Sequence, residues 1–235
     1  MSSSEKSTLP AVAGPADSPG RLYRVAGAAF LVVAVVYLIQ PIVVFLVNPP
    51  TTGPKGYPVV GDLVALRVLA PVEVVEFATI GIATIVVAIA THRLRAALGA
   101  PSTVPAATGL ALGFVAGLGW IGAAAGTIAA YGLFATNLAE ITGDAAVQQA
   151  AIQTALLGTG MLSIPVIGTG GWLAVLGTSG RRAGVIGWPL AVVALIAAAL
   201  IVVPAVILQL PFGMLVVIPV YALFGVAFLL RSRKF

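Results

Sequence analysis

The chain of 235 residues is 60% hydrophobic and only 8% charged, and its mean hydropathy is +1.12. A soluble domain carries charges at about a quarter of its positions, so this composition excludes a water-soluble fold. The formal net charge is +5, but the basic residues fall between apolar runs, which indicates a membrane address and no nucleic-acid partner. With no cysteine and one histidine, His92, we expect no cofactor and no metal.

The first segment, residues 1–20, is rich in Ser, Pro, Ala and Gly and contains no apolar run. This composition is typical of a disordered tail, and we expect that tail to lie in the cytoplasm and not to be cleaved as a signal. Residues 21–235 then form one transmembrane domain, whose first apolar run serves as an uncleaved signal anchor.

Six apolar runs follow, each with about the 20 residues that a helix needs to cross about 30 Å of hydrocarbon. They predict an all-α fold, a polytopic bundle of six transmembrane helices. The predicted spans cover residues 25–47, 71–90, 106–131, 151–176, 185–208 and 212–230.

The second predicted span carries two acidic residues, Glu73 and Glu76, near its outer end. Their spacing of three residues places both carboxylates on one helix face. Buried together, they would form a site that takes up a proton or exchanges it for a cation. The alternative is structural, because Pro71 suits the first turn of a helix, where free amides stabilise acids, and Arg67 is a nearby partner.

The third predicted span contains glycines at intervals of four residues. Small residues at this spacing let helices approach closely in lipid, so we expect a central, tightly packed helix. The alternative is that the glycines line a narrow path. The residues assigned to helix packing are Gly109, Gly113, Gly117, Gly122 and Gly126.

The fourth predicted span combines many glycines with a proline in mid-span, Pro165. This pattern resembles a broken helix, and broken helices in transporters expose backbone groups that bind ions or substrates. Ser163 and Thr169 are the candidate ligands beside Pro165. The alternative is an ordinary span, because membrane helices tolerate Gly and Pro where neighbours satisfy the freed carbonyls.

Lys and Arg are distributed unevenly about the six spans. Ten of the twelve lie before the first span, after the second, fourth or sixth, and only Lys55 and Arg67 lie on the other side. Because basic residues that flank spans remain in the cytoplasm, both termini are predicted to be cytoplasmic. We expect the protein in the plasma (inner) membrane of a bacterium, with the lipid bilayer as its first partner.

Three stretches carry a resemblance to a known family. They are RLYRVAG at residues 21–27, the acidic start of the second span, and GWLAVLGTSGRRAGVIGW at residues 171–188. In these stretches the chain resembles a group of bacterial, largely actinobacterial, six-span membrane proteins classed as a domain of unknown function. The resemblance implies the six-span topology, and it implies no activity and no site residues.

The sequence contains no Ser-His-Asp arrangement, phosphate-gripping loop or Glu-x-x-His pattern, so an enzyme is the least favoured class. The leading hypothesis is a non-catalytic accessory or structural subunit that packs against a membrane-protein partner or another copy of itself. The second hypothesis is a small transporter or channel for a proton, cation or small solute that uses Glu73 and Glu76. A membrane enzyme acting on lipid or quinone is third.

Overall fold

The computed structural model describes residues 18–47, 60–137, 163–207 and 215–235. Within these ranges every regular element is helical and no strand occurs, so the all-α prediction is confirmed there. The helices are α1 (Pro19–Val47), α2 (Val60–Ala97), α3 (Val104–Asn137), α4 (163–175), α5 (Trp188–Ile207) and α6 (Val217–Ser232). A π-helical turn, Leu176–Gly180, directly follows α4.

Three of the described helices are long and apolar enough to cross a membrane. The qualifying stretches are Pro19–Ile39 of α1, Pro71–Ala97 of α2 and Val104–Ala129 of α3. Shorter apolar stretches are Trp188–Pro204 of α5 and Val217–Ser232 of α6. Large apolar side chains such as Ile82, Leu118 and Ile196 are exposed on the outer faces of the helices, which makes this surface compatible with lipid contact.

The first helix begins at Pro19, ahead of residue 25, where hydropathy predicts the first span to begin. Hydropathy locates only the apolar part of a helix, whereas α1 also includes Arg21 and Arg24, whose side chains are exposed. Two residues assigned to the tail, Pro19 and Gly20, therefore belong to α1. Residues 1–17 of the predicted tail lie outside the described residues.

The second helix is continuous from Val60 to Ala97, and Pro71 lies inside it. The alternative in which Pro71 opens a helix is therefore wrong. A proline inside a helix removes one hydrogen bond, but in apolar surroundings the helix still satisfies its remaining backbone groups better than an interruption would. Glu73 and Glu76 thus lie far from the free amides at the start of α2, and those amides cannot stabilise their charge.

Close approach of α2 and α3 depends on glycines that face each other. A Cβ atom added to Gly81 would lie 2.6 Å from the carbonyl oxygen of Gly117, and one added to Gly117 would lie 2.7 Å from the carbonyl oxygen of Gly81. A Cβ atom on Gly113 would overlap the side chain of Ala88. The two backbones are therefore as close as small residues allow.

Other glycines of α3 have different surroundings. A Cβ atom on Gly109 would lie 2.7 Å from Cγ1 of Val175, at the end of α4, whereas one on Gly122 would meet none of the described residues within 4 Å. Gly126 is half-buried on the same helix. α3 packs against both α2 and the α4 region, but its apolar stretch is the least buried of the three long ones, so the expected central position is not found in the described part of the bundle.

The start of α1, the ends of α2 and α6, and the turn between α4 and α5 meet at one end of the bundle. The Tyr23 hydroxyl donates a hydrogen bond to the Val185 carbonyl (2.9 Å), and Arg231 Nη2 donates one to the Gly184 carbonyl (2.7 Å). We call this the basic end, because nine positive residues lie at these helix ends and turns: Arg21, Arg24, Arg93, Arg95, Arg181, Arg182, Arg231, Arg233 and Lys234.

Candidate functional site

Glu76 is a buried acidic residue in the interior of the helix bundle. Its side chain is 2% exposed, and neither carboxylate oxygen has a hydrogen-bond partner among the residues that the structure describes. Most buried polar groups in proteins are hydrogen-bonded, and a charged group without a partner is the most expensive exception. Glu76 therefore needs a functional or structural explanation.

A tyrosine from α1, Tyr37, lies within electrostatic reach of Glu76. Tyr37 is also buried, and its hydroxyl has no hydrogen-bond partner in the described ranges. The edge of its ring contacts Trp120 of α3, with ring centroids 5.4 Å apart and an interplanar angle of 86°. Trp120 also packs against Phe77, the neighbour of Glu76, at 5.2 Å. Tyr37, Trp120 and Phe77 thus form one aromatic group that joins α1, α3 and α2.

Two further polar groups come from α6 and α4. The hydroxyl groups of Tyr221 and Thr169 are hydrogen-bonded to each other, and both residues are buried. Tyr221 also lies within electrostatic reach of Tyr37. We call Tyr37, Glu76, Thr169 and Tyr221 the polar cluster. Four helices contribute one oxygen-bearing side chain each, so the cluster exists only when the bundle is assembled.

Glu73, one helical turn before Glu76, has a different environment. It is half-buried, and it exerts an electrostatic effect on Glu76. The spacing of three residues keeps the two carboxylates close along one side of α2. Of the pair, Glu76 belongs to the buried cluster and Glu73 lies nearer the surface. The side chain of Arg67, the predicted partner, lies outside the described residues.

The three residues singled out in the fourth predicted span have three different positions. Ser163 is exposed. Pro165 is buried against α3, because a Cβ atom added to Gly119 would lie 2.7 Å from the Cδ atom of Pro165. Thr169 alone of the three belongs to the polar cluster. From residue 163 onward α4 is continuous through Pro165, and its irregular part is the π-helical turn Leu176–Gly180. Residues 151–162 of the predicted span lie outside the described residues.

Tyr37 and Tyr221 were not predicted as site residues from the sequence. Tyrosine is most frequent at the two membrane interfaces, where its hydroxyl reaches water. Tyr37 follows Arg24 by thirteen residues, or about 20 Å of helix, which places it deep inside an apolar run. A tyrosine far from either end of an apolar run is the sequence signal that identifies such a residue.

The polar cluster combines one carboxyl group with three hydroxyl groups. A carboxyl group can take up a proton, and carboxylate and hydroxyl oxygens can bind a hard cation. No family model matches this chain, and comparison with curated proteins and with solved structures finds no match either. Fold and site together define a class: an all-helical bundle with an apolar outer surface and a buried carboxyl group in its interior.

Proposed function

We propose that this protein is an integral membrane protein with six spans and both termini in the cytoplasm, and that it transports a proton or a small cation. Three long apolar helices and an apolar outer surface support the membrane location. The gathering of nine positive residues at one end of the bundle supports the orientation, because positive residues stay on the cytoplasmic side. The expected compartment is the plasma membrane of a bacterium.

The observation that carries the transport function is the burial of Glu76 with no hydrogen-bond partner among the described residues. An acidic residue such as Asp costs about 2.5 to 3.5 kcal/mol at the centre of a membrane helix on insertion scales, and Glu76, five residues into the apolar stretch Pro71–Ala97, bears part of this cost. Purely structural positions in such helices are filled by apolar or small residues, and ionisable ones mark ion or proton pathways. A buried carboxyl group is suited to this task, because binding a proton or a cation neutralises its charge.

In this mechanism Glu76 holds the transported ion, and the surrounding groups guide it. Tyr37 of α1 lies within electrostatic reach of Glu76, Tyr221 of α6 lies within reach of Tyr37, and Thr169 of α4 is bonded to Tyr221. The second acid, Glu73, lies one turn away on α2 toward the outer side, where it can exchange the ion with the surface. Among the described residues, α3 contributes the apolar wall through Trp120.

The hypothesis of a non-catalytic accessory subunit makes a different prediction about Glu76. A subunit that only packs against a partner needs no proton-binding group in its own interior. Its core would be expected to tolerate an uncharged residue at this position without loss of function. Burial of the carboxyl group therefore favours transport over a purely structural role. A variant with an uncharged residue in place of Glu76 distinguishes the two hypotheses.

Ion flux in liposomes tests the proposal. Purified protein is reconstituted, a proton, Na⁺ or K⁺ gradient is applied, and the flux is compared with that of empty liposomes. We expect Glu76→Gln to lower the wild-type flux at least tenfold and Glu73→Gln, the matched control on the same helix, to lower it less. Circular dichroism and gel filtration check that each variant folds. An unchanged flux in Glu76→Gln excludes the carboxylate mechanism.

The absence of any wild-type flux would also contradict transport. Co-purification of a constant protein partner from native membranes would then favour the accessory subunit. A second measurement reads the site directly: a hydrophobic carbodiimide modifies protonated carboxyl groups in apolar surroundings, and mass spectrometry locates the adduct. We expect it on Glu76, with a rate that falls as the pH rises. An adduct on Glu73 alone would contradict the assignment.

A further inference from the structure

A small cavity lies at the basic end of the bundle, separate from the polar cluster. It has a volume of about 30 Å³, is partly open, and is enclosed by α2, α3 and the α4 region. Its polar lining comes from α2, through Thr91, His92 and Arg95. A water molecule needs about 10 to 15 Å³ and two or more polar neighbours, so this cavity has room and partners for ordered water.

His92 and Arg95 are polar side chains in the lining of the cavity. The Nδ1 atom of His92 is buried and has no hydrogen-bond partner among the described residues, so a water molecule in the cavity would satisfy it. Arg95 Nη1 donates hydrogen bonds to the carbonyl oxygen (2.8 Å) and to Oγ (2.7 Å) of Ser179, in the π-helical turn. These bonds connect the end of α2 to the π-helical turn across the cavity wall.

Trp172 closes the cavity on the side that points into the bundle. It is the lining residue of α4 farthest from the basic end, and its side chain is buried. A Cβ atom added to Gly113 would lie 3.3 Å from Cδ1 of Trp172, so the indole ring fits tightly against α3. On its other side the ring packs against Phe30 (5.8 Å between centroids) and Tyr221 (6.3 Å). Trp172 is therefore the side chain between the cavity and the polar cluster.

We infer that this cavity is a water-filled vestibule open to the cytoplasm, and that Trp172 is the barrier between the vestibule and the polar cluster. The inference rests on the proposed function, since it supplies the cytoplasmic access route to Glu76. Two buried threonines of α2 mark the two sides of the barrier. Thr91 lines the vestibule, and Thr84 lies seven residues or about 10 Å deeper on the same helix face.

Cysteine accessibility tests the vestibule, because the chain contains no cysteine and any introduced thiol is unique. Membrane vesicles of both orientations are treated with Ag⁺, a charged thiol reagent small enough to enter a cavity of about 30 Å³, and the thiols that remain are counted after denaturation. We expect Thr91→Cys to react from the cytoplasmic side only. The matched control is Ile89→Cys, at nearly the same depth but 38% exposed on the outer face, which we expect not to react because lipid surrounds it. Failure of Thr91→Cys to react from the cytoplasmic side overturns the vestibule.

The barrier is tested with a cysteine on its far side. We expect Thr84→Cys to react at least tenfold more slowly than Thr91→Cys while Trp172 is present. In a Trp172→Ala background the rate for Thr84→Cys should rise at least tenfold, and the rate for Thr91→Cys should stay unchanged. Trp172→Phe keeps most of the ring volume and should keep Thr84→Cys slow.

If Trp172→Ala does not fold, Trp172→Leu replaces it with the same expectation. A folded variant with a smaller residue at position 172 and no gain in Thr84→Cys labelling would show that the barrier lies elsewhere. The labelling does not require transport, so the two proposals fail separately. Labelling as expected without ion flux leaves the vestibule standing and removes the transport function. Glu76-dependent flux without labelling of Thr91→Cys removes the vestibule and leaves the transport function.

Discussion

The basic end and the polar cluster differ in how their polar groups are satisfied, with the Nδ1 atom of His92 as the exception at the basic end. At the basic end, the hydroxyl of Tyr23 and the guanidinium groups of Arg95 and Arg231 all donate to backbone carbonyls at 2.7 to 2.9 Å. In the polar cluster, Glu76 and the Tyr37 hydroxyl have no partner among the described residues. Polar groups that hold a fold together are satisfied, whereas groups kept for binding are left free for the ligand. The hydrogen bonds of the basic end therefore stabilise the bundle, whereas Glu76 and Tyr37 of the polar cluster are available to bind a ligand.

The largest expected effect is a loss of stability at the basic end. Tyr23 packs against Phe228 (5.2 Å) and Phe235 (5.7 Å) in addition to its hydrogen bond. Tyr23→Ala should lower the free energy of unfolding by about 3 to 5 kcal/mol, because it leaves a cavity in a packed core. Tyr23→Phe, the control, should lose only the hydrogen bond, about 1 kcal/mol. Unfolding in detergent measures both, and equal losses would show that the ring contributes little.

The polar cluster should respond to a substitution in the opposite direction. Glu76→Met replaces a carboxyl group that has no partner among the described residues with an apolar side chain of similar volume. We expect the free energy of unfolding to rise by about 1 to 3 kcal/mol, the cost of an unsatisfied buried group, while ion flux is lost. The same unfolding assay and the liposome assay measure the two quantities. A loss of stability would mean that the carboxyl group has a structural partner.

Within α3, two glycines allow the contribution of close packing to be measured against a matched position. Gly117→Ala should cost about 1 to 3 kcal/mol, because the added methyl group meets the backbone of Gly81 and the side chain of Ile85. Gly122→Ala, with open space around it, should stabilise the helix by about 0.5 to 1 kcal/mol. Unfolding midpoints of the two variants should move in opposite directions, and a shared direction would contradict the packing assignment.

The smallest expected difference lies between the two tyrosines of the cluster. Tyr221→Phe loses the hydrogen bond with Thr169 and should cost about 0.6 to 1 kcal/mol. Tyr37→Phe removes a hydroxyl that has no partner in the described part of the chain, and its stability should not fall. If Tyr37→Phe nevertheless slows ion flux, its hydroxyl acts on the transported ion. Equal losses of stability in the two variants would show that Tyr37 is hydrogen-bonded too.

The helices were predictable, because apolar runs of sufficient length have few alternatives to a helix in lipid. Their ends were not, since hydropathy does not detect polar extensions such as Arg21 and Arg24 of α1, and Pro71 gave a false start signal for α2. Glu76 could be predicted as a candidate site residue because an acidic residue in an apolar run is rare. Tyr37 and Tyr221 could not be joined to it, because their proximity depends on how separate helices cross, and local sequence does not encode that.

The acids of α2 also bear on how the chain enters the membrane. An acidic residue such as Asp near the centre of a helix opposes insertion by about 2.5 to 3.5 kcal/mol, whereas each Leu, Ile, Phe or Val favours it by only about 0.3 to 0.6 kcal/mol. In the folded bundle α2 packs against α1 and α3. Of the three long apolar helices, α2 is therefore the one whose release from the translocon depends most on its neighbours. We expect α1 and α3, the helices adjacent to α2, to shield Glu76 from lipid until the later helices are inserted.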